Sequence, residues 1–247
     1  LADVVFKPGC KLTVIEKSTF DSTGLTSIEL PANITNVNDN AFSSAKTLET
    51  VTFKTYTLAD VLAETGKTDE AELTDAEKAK IGKSDLTSVG NYVFANSGIK
   101  TVIFPETTAA KLTLGKTMFN NVTTLEKVGL PAQVASLENV FSGCKSNLQI
   151  ELSKDNKSLK LNTEYSLVLS ATGDTIEFAY GYIGKETLDL TKLTDTLKVI
   201  KASAFASQPN IKKVIIPASV TTIGESAFAK CAALETVELK TSGNDNK

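Results

Sequence analysis

The residue types best suited to catalysis are scarce in this sequence of 247 residues. Histidine is absent, and all 26 basic residues are lysine. Without imidazole the chain has no Ser-His or Cys-His nucleophile pair and no histidine metal ligand. Lysine also lacks the planar fork with which arginine binds carboxylates and phosphates. We therefore expect a protein that is not an enzyme and that carries no cofactor and no metal.

An acidic run is the one feature that suggests a cation. It consists of Asp69, Glu70, Glu72, Asp75 and Glu77. Hard cations such as Ca²⁺ bind several carboxylates at once. However, the run contains no glycine-centred loop with spaced ligands. A solvated face with favourable charges in the first turn of a helix explains it better.

Three of the five tyrosines lie close together in the sequence, at Tyr165, Tyr180 and Tyr182. An exposed tyrosine ring can stack on a sugar or anchor a protein contact. These residues are therefore candidate aromatic contacts for a glycan or a protein. The favoured alternative is that they cover a small core of their own segment.

The overall charge and hydropathy exclude two further classes of protein. The net charge is -3 and the isoelectric point is about 5.3, whereas nucleic-acid binders usually present a basic face. No run of about 18 apolar residues exists, so we expect no membrane-spanning helix. Since the chain begins at Leu1 rather than Met, we expect a processed product whose export signal was removed.

Phenylalanine recurs at a regular interval along the chain. Phe205 and Phe228 are 23 residues apart, and Phe20 and Phe42 are 22 apart. The longer gap from Phe42 to Phe94 contains an insertion, and the gap from Phe141 to Phe205 contains another. This periodicity indicates about eight repeats, one of them without its phenylalanine.

Each repeat has the same pattern of positions around its phenylalanine. An alternating stretch such as Leu234-x-x-Val237-x-Leu239 follows the ring and predicts a short strand with its apolar side inward. Stacking such strands side by side pairs their backbones and buries one apolar column, with the phenylalanines as an internal ladder. Gly or Asn four residues before the ring, as in Gly224, suits a turn with a positive φ. Glu16 and Lys201 stand at that position in other repeats, so the turn does not strictly require it.

Cys144 and Cys231 occupy one repeat position, three residues after the phenylalanine. Ala45 and Ser97 stand at the same position in other repeats. A nucleophile or metal ligand would not be interchangeable with alanine, so we expect a small buried residue here. The remaining cysteine, Cys10, makes the count odd and argues against a dense disulfide framework.

The pattern I-G-x-x-A-F-x-x-C-x-x-L-x-x-V-x-L resembles the BspA-type leucine-rich repeat. The residues that match are Ile223-Gly224, Ala227-Phe228, Cys231, Leu234, Val237 and Leu239. Similar repeats occupy roughly residues 2–53, 84–152 and 188–240. The resemblance implies an α/β, strand-rich, right-handed leucine-rich-repeat solenoid with short parallel strands, forming one domain over residues 1–247.

Two segments interrupt the repeats. Residues 54–83 carry short helical patterns, with Thr74-Asp-Ala-Glu77 as a capping box, and predict a helical insertion. Within residues 153–187, three stretches have the alternation of strands, and Thr172-Gly173-Asp174 forms the turn between the last two. We therefore expect an inserted β-hairpin there.

The outward-facing residues of the predicted strands form the candidate ligand-binding surface. They are Ser27, Glu29, Thr50, Thr52, Thr101, Ile103, Lys127, Gln149, Glu151, Lys213, Ile215, Thr236 and Glu238. Repeat proteins bind macromolecules on such extended faces. The resemblance implies a secreted or cell-surface module for adhesion or protein–protein interaction with a cell-surface macromolecule. A glycan-binding module and a passive spacer that displays another domain are the alternatives.

Overall fold

The computed structural model describes residues 1–144, 148–180 and 186–241. Its two α-helices are α1 (Leu58–Thr65) and α2 (Asp75–Lys78). The strands, in chain order, are β1 (Val14–Ile15), β2 (Ser27–Leu30), β3 (Asn36–Val37), β4 (Thr50–Phe53), β5 (Ser88–Val89), β6 (Thr101–Ile103), β7 (Thr113–Leu114), β8 (Lys127–Leu130), β9 (Gln149–Leu152), β10 (Leu159–Asn162), β11 (Leu167–Ser170), β12 (Thr175–Ala179), β13 (Thr187–Asp189), β14 (Val199–Ile200), β15 (Lys213–Ile216), β16 (Thr222–Ile223) and β17 (Thr236–Leu239).

The predicted solenoid of short parallel strands is confirmed. The longer strands of successive repeats pair in parallel and form a five-stranded front sheet, β2-β4-β6-β8-β9, and a three-stranded front sheet, β13-β15-β17. Four of the two-residue strands form a back sheet, β1-β3-β5-β7. Each strand is too short to be stable alone, and the neighbouring coils satisfy its backbone groups.

A mixed back sheet, β10-β11-β12-β14-β16, contains the second insertion. The predicted hairpin β11–β12 is present, and β10 adds a third antiparallel strand to it. On its other edge β12 pairs in parallel with β14, in the register Thr175↔Val199 and Ile176↔Ile200. The insertion is therefore part of the solenoid wall. We call this junction the seam. It consists of the inserted strands β10, β11 and β12, which come between β9 of one front sheet and β13 of the other.

The internal phenylalanine ladder is also confirmed. Phe20, Phe42, Phe94, Phe119 and Phe141 stack in succession, with centroids 5.3 to 5.8 Å apart. Beyond the seam, Phe205 and Phe228 stack at 5.1 Å. Phe178 of β12 extends the first stack, with its ring centroid 4.6 Å from that of Phe141, although it lies two and not five residues after the apolar residue Ile176.

The seam divides the apolar interior into two cores. Successive side chains of a strand point to opposite faces, and the alternation along β11 follows that rule. Val168 packs in the first core, while Leu167 and Leu169 pack in the second. The inserted strands thus serve as a wall shared by both halves of the solenoid.

The glycines four residues before the ring do not have the positive φ that the sequence predicted. Positive φ occurs instead two residues before and two after the ring, for example at Ser203 and Ser207. Gly115 is required for close approach, because a Cβ there would lie 2.2 Å from the carbonyl carbon of Gly90. The glycine position therefore reflects contact between coils.

The helical insertion over residues 54–83 lies against the solenoid as predicted. Thr57 and Thr74 cap α1 and α2, each through a capping box. Val61 of α1 is fully buried in a small cluster with Ala32 and Tyr56. Burial of this apolar face fixes two helices that are too short to persist in isolation.

Candidate binding face

The outward side chains of the five-stranded front sheet form two rows in register. The first row is Ser27, Thr50, Thr101, Lys127 and Gln149, and the second is Glu29, Thr52, Ile103, Gly129 and Glu151. The residues between them in each strand are buried, as in β2 and β4. The alternation predicted from the sequence therefore places these rows on the outer face.

The outer face is not a single continuous row. In the three-stranded front sheet, Lys213 pairs in register with Thr236, and Ile215 with Glu238. The insertion causes the break, since β9 and β13 lie on either side of it and belong to different sheets. A ligand that follows the strands would meet two separate surfaces of five and three strands.

Ile103 is the apolar centre of the five-stranded front sheet. It lies on the middle strand and is 44% exposed. Its neighbour in the row is Gly129, and a Cβ at that glycine would lie 3.0 Å from both Cδ1 and Cγ2 of Ile103. The isoleucine therefore lies over the space that a larger residue on β8 would occupy.

Ion pairs between lysine and glutamate keep the net charge of this face close to zero. Lys127 Nζ lies 2.7 Å from a carboxylate oxygen of Glu151, and Lys54 lies at the same distance from Glu29. In the three-stranded front sheet, Lys213 and Lys240 both contact Glu238. These two lysines lower the pKa of the Glu238 carboxyl to about 2. Lys54 and Lys240 directly follow their strands, and the strand alternation alone did not predict them as part of the face.

Tyr165 follows the favoured alternative, in which the ring covers a core, and does not present the candidate aromatic contact. Its ring is 5% exposed and packs in the second core, so it offers no face to a sugar. Tyr180 is half-buried against the first core, and burial raises the pKa of its phenol. Tyr182 lies outside the described residues.

Cys144 and Cys231 behave as small packing residues. Cys144 is buried, and its thiol donates to the carbonyl oxygen of Phe119 at 3.2 Å. Cys231 makes the equivalent contact with the carbonyl of Phe205 at 3.1 Å. Burial raises the pKa of the Cys144 thiol to about 12, which removes the thiolate that a nucleophile needs.

Two residues of the acidic run cap short helices of the insertion: Asp69 caps a 3₁₀-helix over Glu70–Glu72, and Glu77 completes the capping box of α2. Asp69 accepts a hydrogen bond from the Ala71 amide, and Glu77 accepts from the amide and hydroxyl of Thr74. Lys67 lies 2.6 Å from Glu77. Among the residues that the structure describes, no group of three or more acidic or cysteine side chains is placed to hold a metal ion.

A cavity of about 250 Å³ lies beside the seam, among the turns that contain Ser142, Ser203 and Ser226. Its described lining is mostly serine and alanine from three coils, with Glu225 and Lys230 as its ionisable groups. No hydroxyl there is paired with a histidine, since the chain has none. The described lining of the cavity therefore contains no Ser-His pair.

The parallel sheets, the ring ladder and the flat polar face define a leucine-rich-repeat solenoid. Six copies of the BspA type Leucine rich repeat region match residues 4–62, 72–172 and 175–245. The chain therefore belongs to the BspA-type leucine-rich repeat family. No curated protein sequence matches it.

Solved structures with this architecture come from several bacteria. A leucine-rich repeat protein from Eubacterium ventriosum matches with a TM-score of 0.62 and 16% identity, over 93% of this chain and 58% of that one. The pneumococcal vaccine antigen PcpA gives 0.60 and 18%, over 92% and 56%. A leucine rich cell surface protein from Faecalibacterium prausnitzii gives 0.51 and 23%, over 96% and 68%. The chain thus spans less than two thirds of the first two, and at these identities the likeness concerns the fold.

The helices in the described ranges are too short and too polar to cross a bilayer.

Proposed function

We propose that this chain is a non-catalytic recognition module, secreted or displayed on a cell surface, that binds a protein partner on its five-stranded front sheet. The observation that carries the proposal is the pair of in-register outward rows around Ile103. A flat face with an apolar centre and a polar rim has the composition of a protein interface.

The chemistry of the face supports a protein partner over a small substrate. Thr50, Thr52 and Thr101 present hydroxyls on adjacent strands, and none of them lines the cavity beside the seam. Small-molecule sites are concave and bury most of their ligand, whereas extended flat faces suit macromolecules. Membership of a repeat family that stacks coils into long surfaces points the same way.

The test uses the same substitution on two different sheets. Thr52→Lys and Ile103→Lys alter the front face, while Thr113→Lys alters an exposed residue of the four-stranded back sheet. Each purified chain is immobilised and probed with a panel of extracellular-matrix proteins and microbial surface proteins. We expect a reproducible partner whose binding weakens by about tenfold or more for the front variants, as an interface-centre change of about 1.4 kcal/mol implies.

Two outcomes would refute this assignment. One is the absence of any reproducible partner across the panel. The other is an equal loss of binding for Thr113→Lys, because that result would place the contact elsewhere or reflect general destabilisation. Circular dichroism of each variant separates a lost contact from a lost fold.

A further inference from the structure

The turns that carry the ladder phenylalanines form one wall of the solenoid, in which each turn is hydrogen-bonded to the next. In the turn of Phe42, the amides of Asn40, Phe42 and Ser44 all donate to carbonyl oxygens of the following coil. The amides two residues before the ring, at the ring and two residues after it do the same in the turn of Phe205. In a regular coil these three amides therefore point along the solenoid axis towards the next turn.

The seam interrupts this wall. Phe178 lies within the strand Thr175–Ala179, so the insertion adds a ring to the ladder but no turn to the wall. The turn of Phe141 is the last one before the gap. Its amides at Asn139, Phe141 and Gly143 donate to no backbone carbonyl in the part of the chain that the structure describes. Since unpaired backbone donors are costly, these amides call for an acceptor from outside the turn.

The cavity beside the seam lies next to these amides. Asn139, Ser142 and Gly143 line it from the turn of Phe141, and turns beyond the seam contribute the rest of its described lining. Its volume is about 250 Å³, whereas a single water needs about 10–15 Å³ and drug-sized ligands fill about 300–1,000 Å³. A ligand of the size of one sugar ring matches this space.

Two side-chain contacts across the seam hold the walls of the cavity together. Ser203 Oγ donates to Asn139 Oδ1 at 2.7 Å. Lys201 Nζ donates to a carboxylate oxygen of Glu138 at 3.3 Å. Residues that adjoin or line the cavity on both sides of the seam are thus fixed before any ligand arrives, which lowers the entropic cost of binding.

The donors at the cavity favour a carboxylate. Asn139 and Gly143 both have positive φ, at 63° and 82°, and turns of this kind present their amides as a concave set of donors that binds oxyanions. Lys230 adds an ammonium group to the lining. A carboxylate held by backbone amides and a lysine receives charge-assisted hydrogen bonds, which are the stronger kind.

The rest of the lining favours hydroxyl groups on the same ligand. Ser142, Ser207 and Ser226 each present a hydroxyl that both donates and accepts. Glu225 contributes a carboxylate, which only accepts when ionised. A simple inorganic anion would be repelled by Glu225, whereas a sugar hydroxyl would donate to it.

We propose that the cavity beside the seam binds a small acidic sugar of the hexuronate type. The amides of Asn139 and Gly143, together with Lys230, hold its carboxylate. The serine hydroxyls and Glu225 hold its ring hydroxyls. This site is separate from the five-stranded front sheet and does not depend on a protein partner there.

Titration of the ¹⁵N-labelled chain with D-glucuronate, followed by amide NMR spectra, tests the proposal. We expect saturable shifts of the Asn139 and Gly143 amides, with a dissociation constant on the order of 1 mM. D-glucose lacks the carboxylate and acetate lacks the hydroxyls, so each should bind about tenfold more weakly or worse. Lys230→Gln should weaken glucuronate binding by about tenfold, and Ser142→Leu should abolish it by filling the cavity.

Asn120→Leu is the matched control for the filling variant, because Asn120 and Ser142 both directly follow a ladder phenylalanine, and Asn120 does not line the cavity. Lys17→Gln is the control for the charge, since Lys17 does not line the cavity. Both controls, and Ile103→Lys on the front sheet, should bind glucuronate as the wild type does.

Several results overturn the hexuronate site. They are the absence of saturable shifts up to about 10 mM glucuronate, equal binding of glucose or acetate, and unchanged binding by Lys230→Gln. Retained binding by a folded Ser142→Leu chain overturns it as well. The amide spectrum of each variant shows whether its fold is intact, and Lys230→Gln remains decisive if the leucine variant does not fold.

Discussion

The ring of Phe178 stacks on the ring of Phe141, with their planes inclined by 23°. Phe141 belongs to the last regular coil before the seam, whereas Phe178 belongs to the inserted strand β12. The insertion therefore extends the ladder of the first core, while Ile176 on the same strand packs in the second core. Through β12, one strand stabilises both halves.

Replacing Phe178 should destabilise the protein strongly. Phe178→Ala removes a buried ring that fills the end of the first core, and we expect a loss of about 3–5 kcal/mol in the free energy of unfolding. Urea denaturation followed by circular dichroism measures the change. Phe178→Leu, which preserves most of the volume, should lose less. A loss below about 1 kcal/mol for the alanine variant would mean that the ring is not part of the core.

A methyl group at Gly115 should be poorly tolerated. In Gly115→Ala the new Cβ would lie 2.2 Å from backbone atoms of Gly90, so adjacent coils would have to separate. We expect a destabilisation of about 1–3 kcal/mol, typical of overpacking. Gly24→Ala is the control, since its Cβ would meet only the carbonyl oxygen of Leu1 at 3.4 Å. Equal melting temperatures for the two variants would contradict the close approach.

The cap of α2 should weaken in acid. Lys67 and Thr74 lower the pKa of the Glu77 carboxyl from 4.5 to about 2. A carboxyl whose pKa is lowered on folding contributes stability above its unfolded pKa, and loses it as the pH falls through the folded value. The protection of the α2 amides from exchange, relative to the rate of an unfolded peptide at the same pH, should therefore fall between pH 4.5 and 2. Glu77→Gln should remove most of this dependence, and a variant that keeps the full wild-type pH profile would disprove the assignment.

Cys144 should resist alkylation in the folded protein. Its burial raises the pKa of the thiol to about 12, so almost no thiolate exists at about pH 8 and reagents cannot reach it. Iodoacetamide treatment followed by peptide mass spectrometry should label Cys144 only after unfolding in denaturant. Rapid labelling of Cys144 under native conditions would show that this coil opens locally. Cys144→Ala should fold normally, since Ala45 occupies the equivalent position.

The repeat positions could be predicted because the residue at each position makes the same contact in every coil. The spacing of the phenylalanines and the alternation of Leu234, Val237 and Leu239 follow from stacking, and stacking is periodic. The outward rows followed from the same alternation. The capping box of α2 could be predicted from the sequence because a cap is a local interaction between residues three apart.

The seam was less predictable because its contacts are not periodic. Phe178 follows Ile176 by two residues, whereas in a regular coil the ring follows the apolar residue by five, as Phe228 follows Ile223. Nothing in the spacing therefore marks Phe178 as a member of the ladder. Glu177 was missed for the same reason, although its carboxylate is buried and accepts hydrogen bonds from Ser136 and from the Leu137 amide across the seam.

The positive φ predicted at the glycine positions was wrong for a different physical reason. Both a positive φ and a close contact select glycine, and a single sequence does not distinguish them. The structure assigns positive φ to Asn, Ser and a few other side chains on either side of the ring. Asparagine adopts this region readily, and the stacked coils hold serine in it as well.

The lysine–glutamate pairs across the strands leave the outer face without a strong field of either sign. Glu29 and Glu151 are each neutralised by a lysine 2.7 Å away. Long-range electrostatic steering accelerates association only where one sign dominates, and salt then slows it. The capture rate of a partner on this face should therefore change little with ionic strength.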